Sequence, residues 1–349
     1  MTSRDSTFEI LRELVRQPSP PGREEAVDEV LRRRLAGTRG EVLQDAAGNV
    51  IVRLRGRGRR GRVALVAHKD EIATAVKRVE ADGRIRLRAI GDAHPWIWGE
   101  TPLVLLGDRE PVDAVLSFGA RHVSAASPQH AQLEDQQVRW RDAWALTQRS
   151  CDELAAAGVR VGTRAVLPPG RREPVRLGGD AAYVASPVLD DKIAVAGLLL
   201  LAERLREPPG DVDIVFSSRE EIGCHGIRYY AREHAPEDLV ALEVAPVAEE
   251  YGLACSDAPV VIVGDPAAVL SDALVRELGE AAAAAGVPLQ HAFLDRYASD
   301  ASTVLAHGLV ARAGCLAVAV ENTHGCEIAH LDAVERCVAV LQAWLERPA

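Results

Sequence analysis

The chain has 349 residues, of which 48% are apolar and 26% charged, with a formal net charge of −10. That apolar fraction, with both signs of charge interspersed, excludes disorder over most of the length and allows a large core without disulfide staples. The acidic balance argues against a general nucleic-acid partner, because phosphate contacts need clustered cations.

The opening segment patterns as an amphipathic helix, with Phe8, Leu11, Leu14 and Val15 on one face. Pro18 to Gly22 break it, and a second helix follows from Glu24 to Leu35. Strand-like runs come next at Glu41–Leu43, Val50–Leu54 and Val63–Ala67. The one strongly basic run, Arg53 to Arg62, lies between two of them and reads as a solvated hairpin turn. From Glu71 to Ala185 short β-like pieces dominate: Arg84–Ala89, Leu103–Leu106, Ala114–Phe118 and Val159–Val166, with one helical stretch near Gln137–Ala157.

From Asp190 onward the texture changes again. Helices are expected at Ile193–Leu205, Gly226–His234, Val269–Ala285 and Leu331–Trp344. Strands are expected between them at Val212–Ser217, Val240–Val244, Val260–Val263, Leu309–Ala311 and Leu316–Val320. Such alternation predicts an α/β/α domain with a mostly parallel sheet, made of residues 1–70 and 186–349, interrupted by a small β-rich insert at 71–185.

The longest apolar run, Ile193 to Ala202, is half the roughly 20 residues a membrane span needs, so no membrane partner is expected. The first residues show no secretion signal. The six cysteines lack Cys-x-x-Cys spacing, which argues against a zinc finger and suits free thiols in the cytoplasm. Lysine is scarce: Lys69, Lys77 and Lys192 are the only three.

In open α/β sheets ligands bind beyond the carboxyl ends of the strands. Val63–Ala67 runs into His68, Lys69 and Asp70; Val212–Phe216 leads to Glu220 and Glu221; Val240–Leu242 reaches Glu243; Leu316–Val320 leads to Glu321 and His324. The loop before the long helix adds Asp190 and Asp191. Taken singly, each has an ordinary structural explanation, such as helix capping for the paired aspartates. Together, several carboxylates at one sheet edge repel one another unless a cation lies between them. Nitrogen and oxygen ligands suit Zn, Co or Mn, and one carboxylate bridging two such ions makes a two-metal hydrolytic site.

The order of these motifs resembles that of the tetrahedral aminopeptidases, the glutamyl and deblocking aminopeptidases of the di-zinc peptidase clan. Their His-x-Asp-Glu-Ile/Val is matched by His68 to Ile72, and their Leu-Asp-Asp-Arg by Leu189 to Lys192. Their Glu-Glu-Val-Gly-x-x-Gly is matched by Glu220 to Gly226, and their late metal histidine by His324. Pro21 to Glu24 and, in the insert, Pro128-Gln129-His130 resemble further family turns.

The resemblance implies that Asp190 bridges two divalent ions, most readily zinc, with cobalt or manganese as the other choices. His68 and Glu243 then complete one site, and Glu221 and His324 the other. Asp70 orients His68, and Glu220 acts as general base. It further implies hydrolysis of N-terminal residues from short peptides, a barrel-like insert, and a homo-oligomer built from dimers, up to a dodecamer.

Several positions depart from the family pattern. Glu243 replaces the usual Asp; Glu321 to Gly325 replaces Arg-Tyr-x-His-Ser; and Trp144 to Thr147 stands where Ile-Asp-x-Gly is expected. Tyr297 to Ala301 resembles the Gly-Gly-Thr-Asp-Ala loop, with Asp300 a candidate neighbour of the substrate amine. These departures leave two alternatives: an amidase or deacylase acting on an N-acyl or specialised amide through the same site, and a catalytically weak oligomeric scaffold.

Overall fold

The computed structural model describes residues 2–58, 60–127 and 137–347. The chain divides into two compact units, Met1–Asp70 with Glu173–Ala349, and Glu71–Arg172.

The larger unit begins with α1 (Ser3–Val15) and α2 (Glu25–Leu35), joined by the expected proline-rich break. Thr2 and Asp5 form a capping box at the start of α1, each side chain accepting the other's backbone N–H at 3.1 Å. Three strands follow: β1 (Glu41–Gln44), β2 (Val50–Leu54) and β3 (Arg60–His68). Among the described residues, the next six strands and three short α-helices belong to the smaller unit. The large sheet resumes with β10 (Val175–Leu177) and β11 (Tyr183–Ser186). After α6 (Lys192–Arg204) come β12 (Gly210–Ser217), α7 (His225–His234), β13 (Asp238–Pro246) and β14 (Val260–Gly264). The chain closes with α8 (Asp272–Ala285), β15 (Gln290–Phe293), α9 (Asp300–Ala306), β16 (Arg312–Glu321), β17 (Glu327–His330) and α10 (Leu331–Glu346).

The strand order is β1-β2-β12-β3-β13-β16-β17-β11-β10, with β14 and β15 branching from β16. The central run β12-β3-β13-β16 is parallel, as the alternation predicts. Its flanks pair antiparallel, so the sheet as a whole is mixed. Both faces are covered, and the residues of β3 alternate between them. Val63, Leu65 and Ala67 pack with α1, α2, α6 and α10, while Ala64 and Val66 pack with residues of α7 and α9. Helix α6 is buried on every side, which explains why its sequence is apolar all round.

The basic run is not a hairpin turn. β2 and β3 lie on either side of β12, and the connector passes against residues 208–210, with N–H groups of Arg57 and Gly58 bonded to the carbonyls of Pro208 and Pro209. A Cβ on Gly56 would come within 2.2 Å of Gly210, so only glycine permits this approach. Arg53 is not solvated either: it forms a two-pronged bond to the buried Asp213, at 3.0 Å on each arm.

The smaller unit is a closed barrel. Its strands are β4 (Ala73–Val79), β5 (Ile85–Ile90), β6 (Pro102–Leu106), β7 (Pro111–Ser117), β8 (Trp144–Leu146) and β9 (Arg164–Val166), in the order β4-β5-β8-β7-β6-β9. The short helices α3 (Pro95–Trp98), α4 (Cys151–Ala156) and α5 (Pro169–Arg172) complete it. Its first and last residues, Glu71 and Arg172, are joined by a buried ion pair at 2.5 and 2.8 Å.

Several expectations are corrected here. The unit ends at Arg172 rather than Ala185, because β10 and β11 pair into the large sheet through β17. The helix expected over Gln137–Ala157 shrinks to α4: Ala145 pairs with Ile85 and Leu116, and tertiary pairing overrides the local helical pattern. Leu309–Ala311 forms no strand, and α8 starts three residues later than expected. Pro128-Gln129-His130 lies outside the described residues.

Candidate metal centre

The parallel strands β3, β12, β13 and β16 deliver their carboxyl ends to one edge. His68 is the last residue of β3 and pairs in register with Ser217, the last residue of β12. Glu243 lies inside β13, two residues beyond the Ala241 that pairs with Val66 of β3. It therefore stands level with His68 across the sheet. Asp190 immediately precedes Asp191, the residue before α6, and the two are joined by a cis peptide bond. Glu220 and Glu221 follow β12, and His324 lies in the turn between β16 and β17.

All seven site residues named from the sequence meet here; five of them form two groups that share Asp190, with Asp70 and Glu220 beside them. In the first, His68 Nε2 lies 3.0 Å from Asp190 Oδ1 and 4.0 Å from Glu243 Oε2. In the second, His324 Nε2 lies 3.5 Å from Asp190 Oδ2 and 4.0 Å from Glu221 Oε1. The two oxygens of one carboxylate thus face different histidines. The extra methylene of Glu243 does not take it out of the first group. Glu220 Oε2 is 3.8 Å from His68 Nε2, beside the first group.

Asp70 sits beneath this arrangement. Its carboxylate accepts the N–H groups of Glu220 (2.9 Å) and Glu221 (3.2 Å), and its Oδ1 lies 3.6 Å from His68 Nδ1. Asp191 is fully buried and accepts the N–H of His68 at 3.2 Å. The turn after Glu221 is sterically fixed, because a Cβ on Gly226 would lie 2.2 Å from Asn49 Oδ1 and 2.4 Å from the carbonyl of Ser218.

Crowding of buried acids dominates the electrostatics. Burial and then Asp191 push the Glu243 carboxyl well above the usual carboxylate range. Burial also raises Glu220, and raises Glu221 to about 7 with the Asp190 charge adding to it. Asp190 goes the other way: burial opposes its ionisation, but hydrogen bonds to His324 and His68 outweigh it. His324, though burial pulls it down, is raised to about 10 by Asp190 and Glu221.

Some functional neighbours were missed from sequence. Buried Glu327 accepts the N–H groups of Leu189 (2.6 Å) and Asp190 (2.9 Å) on Oε2 and of His324 (2.8 Å) on Oε1, so one side chain clamps the loops that carry Asp190 and His324. Its only signal is an acid heading the short apolar stretch after His324. Lys192 donates to the carbonyls of Lys69 (2.6 Å) and Asp70 (3.3 Å) and to Ser19 Oγ (2.6 Å). Lys69 in turn is buried against Asp28 and Glu24 of the helix α2 entry. Glu71, although part of the matched motif, does not join the site but pairs with Arg172. Asp300 lies near Glu220 and is fully buried, held by the hydroxyl of Ser217.

Residues 48–340 match the profile of the M42 glutamyl aminopeptidases. Among characterised relatives, a lysyl aminopeptidase of Pyrococcus furiosus is 28% identical over 247 residues, covering 68% of this chain and 66% of that protein. Among solved structures, the TET1 peptidase of Pyrococcus horikoshii, which can assemble into a tetrahedron or a large octahedral shell, superposes with a TM-score of 0.87. It is 24% identical, with 98% of this chain and 100% of that one covered. An aminopeptidase from the archaeon Desulfurococcus kamchatkensis also superposes with a TM-score of 0.87, at 23% identity, over 98% of this chain and 95% of its own. The molecule is thus a peptide-bond hydrolase of the aminopeptidase class. The chain belongs to the M42 glutamyl aminopeptidase family, and that membership implies divalent metal ions.

Proposed function

We propose that this chain is a two-metal aminopeptidase that removes N-terminal residues from short peptides, with Glu220 as its general base. The observation that carries the reading is the division of the Asp190 oxygens between His68 and His324, each of which has a further carboxylate beside it. The donor set fits divalent ions. It is nitrogen and oxygen throughout, and buried Glu243 Oε1 has no hydrogen-bond partner. His68, Asp190 and Glu243 would hold one ion, and Asp190, Glu221 and His324 the other. Ions bound there supply Lewis-acid polarisation of the scissile carbonyl and a lowered water pKa.

The chain's own residues do the rest. Glu220 takes a proton from the attacking water as the carbon–oxygen bond forms, and passes it to the amine nitrogen as the carbon–nitrogen bond breaks. Asp70 fixes where that carboxylate stands, by holding the N–H groups of both glutamates. Its contact with His68 keeps the ring oriented from the side away from Asp190.

Free thiols at all six cysteines suit a reducing cytoplasm, where we place the enzyme. The shells formed by the Pyrococcus horikoshii peptidase support a homo-oligomer for this chain too, which light scattering measures.

The test is Glu220→Gln. Turnover of aminoacyl-nitroanilides falls by about 10²–10⁴-fold, the usual contribution of a general base, while bound metal measured by elemental analysis stays at the wild-type level. Retained turnover would overturn the assignment of Glu220. Activity confined to N-acylated substrates would overturn the peptide specificity.

A further inference from the structure

Beside Glu220, on residues that the two Asp190 groups do not use, a third set of donors converges. We propose that Glu220, Cys224 and Asp300 form a separate inhibitory site for a thiophilic divalent cation, of the cadmium or excess-zinc type. The consequence for turnover rests on the reading of Glu220 as general base.

The geometry is specific. One donor atom from each of the three residues lies within 4.8 Å of those of the other two. Cys224 Sγ is 3.2 Å from Glu220 Oε1. With Zn–S near 2.3 Å and Zn–O near 2.0 Å, two donors on one tetrahedral ion stand about 3.5 Å apart, so this pair is almost at ligand spacing already.

The surroundings fix the set. Cys224 precedes α7 in left-handed backbone, at φ 53°, and its sulfur also touches Thr303 Oγ1 at 3.3 Å. Asp300 opens α9, and its Oδ2 accepts the Ser217 hydroxyl. Its Oδ1 is buried and has no hydrogen-bond partner. A fully buried carboxylate oxygen (Asp300 is 0% exposed) left without a donor beside a thiol is the feature that points to a cation. The side chain of Glu220, 12% exposed, is the open side through which an ion enters.

Binding forms a sulfur–metal bond and releases the thiol proton to solvent, with no change of oxidation state. The two carboxylates contribute lone pairs, so three negative charges face the dication. Thiolate makes this the softest donor set of the three, which favours cadmium here over the nitrogen–oxygen groups. A cation held this way occupies the carboxylate that must carry the proton, and kcat falls.

The experiment uses holoenzyme freed of excess metal, in a Cys151→Ser/Cys326→Ser background that removes the exposed thiols, titrated with cadmium chloride. The expected result is one equivalent of cadmium–thiolate ultraviolet absorption per chain, rising in step with the loss of kcat. Cys224→Ala and Cys224→Ser lose that absorption and need at least about tenfold more cadmium for the same inhibition, and Asp300→Asn weakens the absorption titration to a similar extent. Circular dichroism of the two Cys224 variants shows that each is folded. Equal absorption and inhibition in Cys224→Ala would overturn the site, as would inhibition of the wild type without thiolate absorption. Turnover retained by Glu220→Gln would instead strike the role of Glu220, while the absorption titration would still report the site.

Discussion

Glu327 offers the sharpest test of how the candidate centre is built. It is 1% exposed and accepts three backbone N–H groups, two from the Leu189–Asp190 loop and one from His324. His324 itself sits at φ 63°, a left-handed conformation that a non-glycine residue holds only when its neighbours enforce it. Glu327→Ala strands all three donors. Each buried unsatisfied donor costs about 1–3 kcal/mol; the Leu189 bond is buried, and water can reach the other two, so the sum falls near 3–5 kcal/mol. Glu327→Gln can keep its one oxygen on the Leu189 and Asp190 pair and loses only the His324 bond, at about 1–2 kcal/mol. Urea denaturation of metal-stripped protein measures these costs without the mass-action contribution of bound ions. Elemental analysis of the same variants then shows whether the ligand loops still hold metal, with retention ordered wild type, Gln, Ala. An alanine variant within about 1 kcal/mol of wild type, with unchanged metal content, would refute the clamp.

Other outcomes follow from the same structure. Dialysis against a chelator abolishes turnover and lowers the melting temperature, and both return when a divalent metal is added back; turnover unaffected by the chelator would count against a metal role. Arg172→Met takes the buried guanidinium away from the Glu71 carboxylate and destabilises the barrel unit by about 3–5 kcal/mol, while a Glu71→Leu/Arg172→Met double variant recovers most of the loss in thermal denaturation. Burial, with the Asp70 charge adding to it, raises the Glu24 carboxyl to about 7. Because the folded value is the higher one, this group's stabilisation is complete below its ordinary value of 4.5 and is lost as pH rises through about 7. Wild type therefore loses stability relative to Glu24→Gln between those limits, and an unchanging difference between melting temperatures at about pH 5 and about pH 8 would refute it.

The centre was largely legible because a parallel sheet gathers the ends of separate strands at one edge. Apolar runs ending in His68, Glu220–Glu221, Glu243 and His324 therefore announced one place rather than four. Glu327, Lys69 and Lys192 were not legible. Glu327 and Lys192 act on backbone atoms of the segments that carry Asp190, His324 and His68, and Lys69 on carboxylates at the entry to α2; which partner a side chain will meet depends on loop paths that periodicity does not encode. The mistaken helix over Gln137–Ala157 has a different cause. Trp140, Trp144 and Leu154 recur at near-helical intervals, yet Trp144 lies on β8 with Arg84 and Arg86 over its ring, each 5.5 Å from the centroid. The basic run is solvated at Arg55 and Arg57, as its charge suggested, but Arg53 at its start is held by buried Asp213, a partner that only the strand order brings beside it.

The scarcity of lysine has a practical outcome. Lys69 and Lys192 are 1% and 0% exposed, locked among carboxylates and carbonyls as internal struts, while Lys77 stands exposed on the barrel. An amine-directed reagent therefore finds one lysine on the folded chain, together with the terminal amine. Acylation by a fluorophore or biotin ester at alkaline pH marks Lys77 as well as the terminal amine, and reaction at Lys69 or Lys192 reports opening of the end of β3 that carries His68. The enzyme is in effect supplied with one side-chain handle for attachment and with two concealed reporters of its own unfolding.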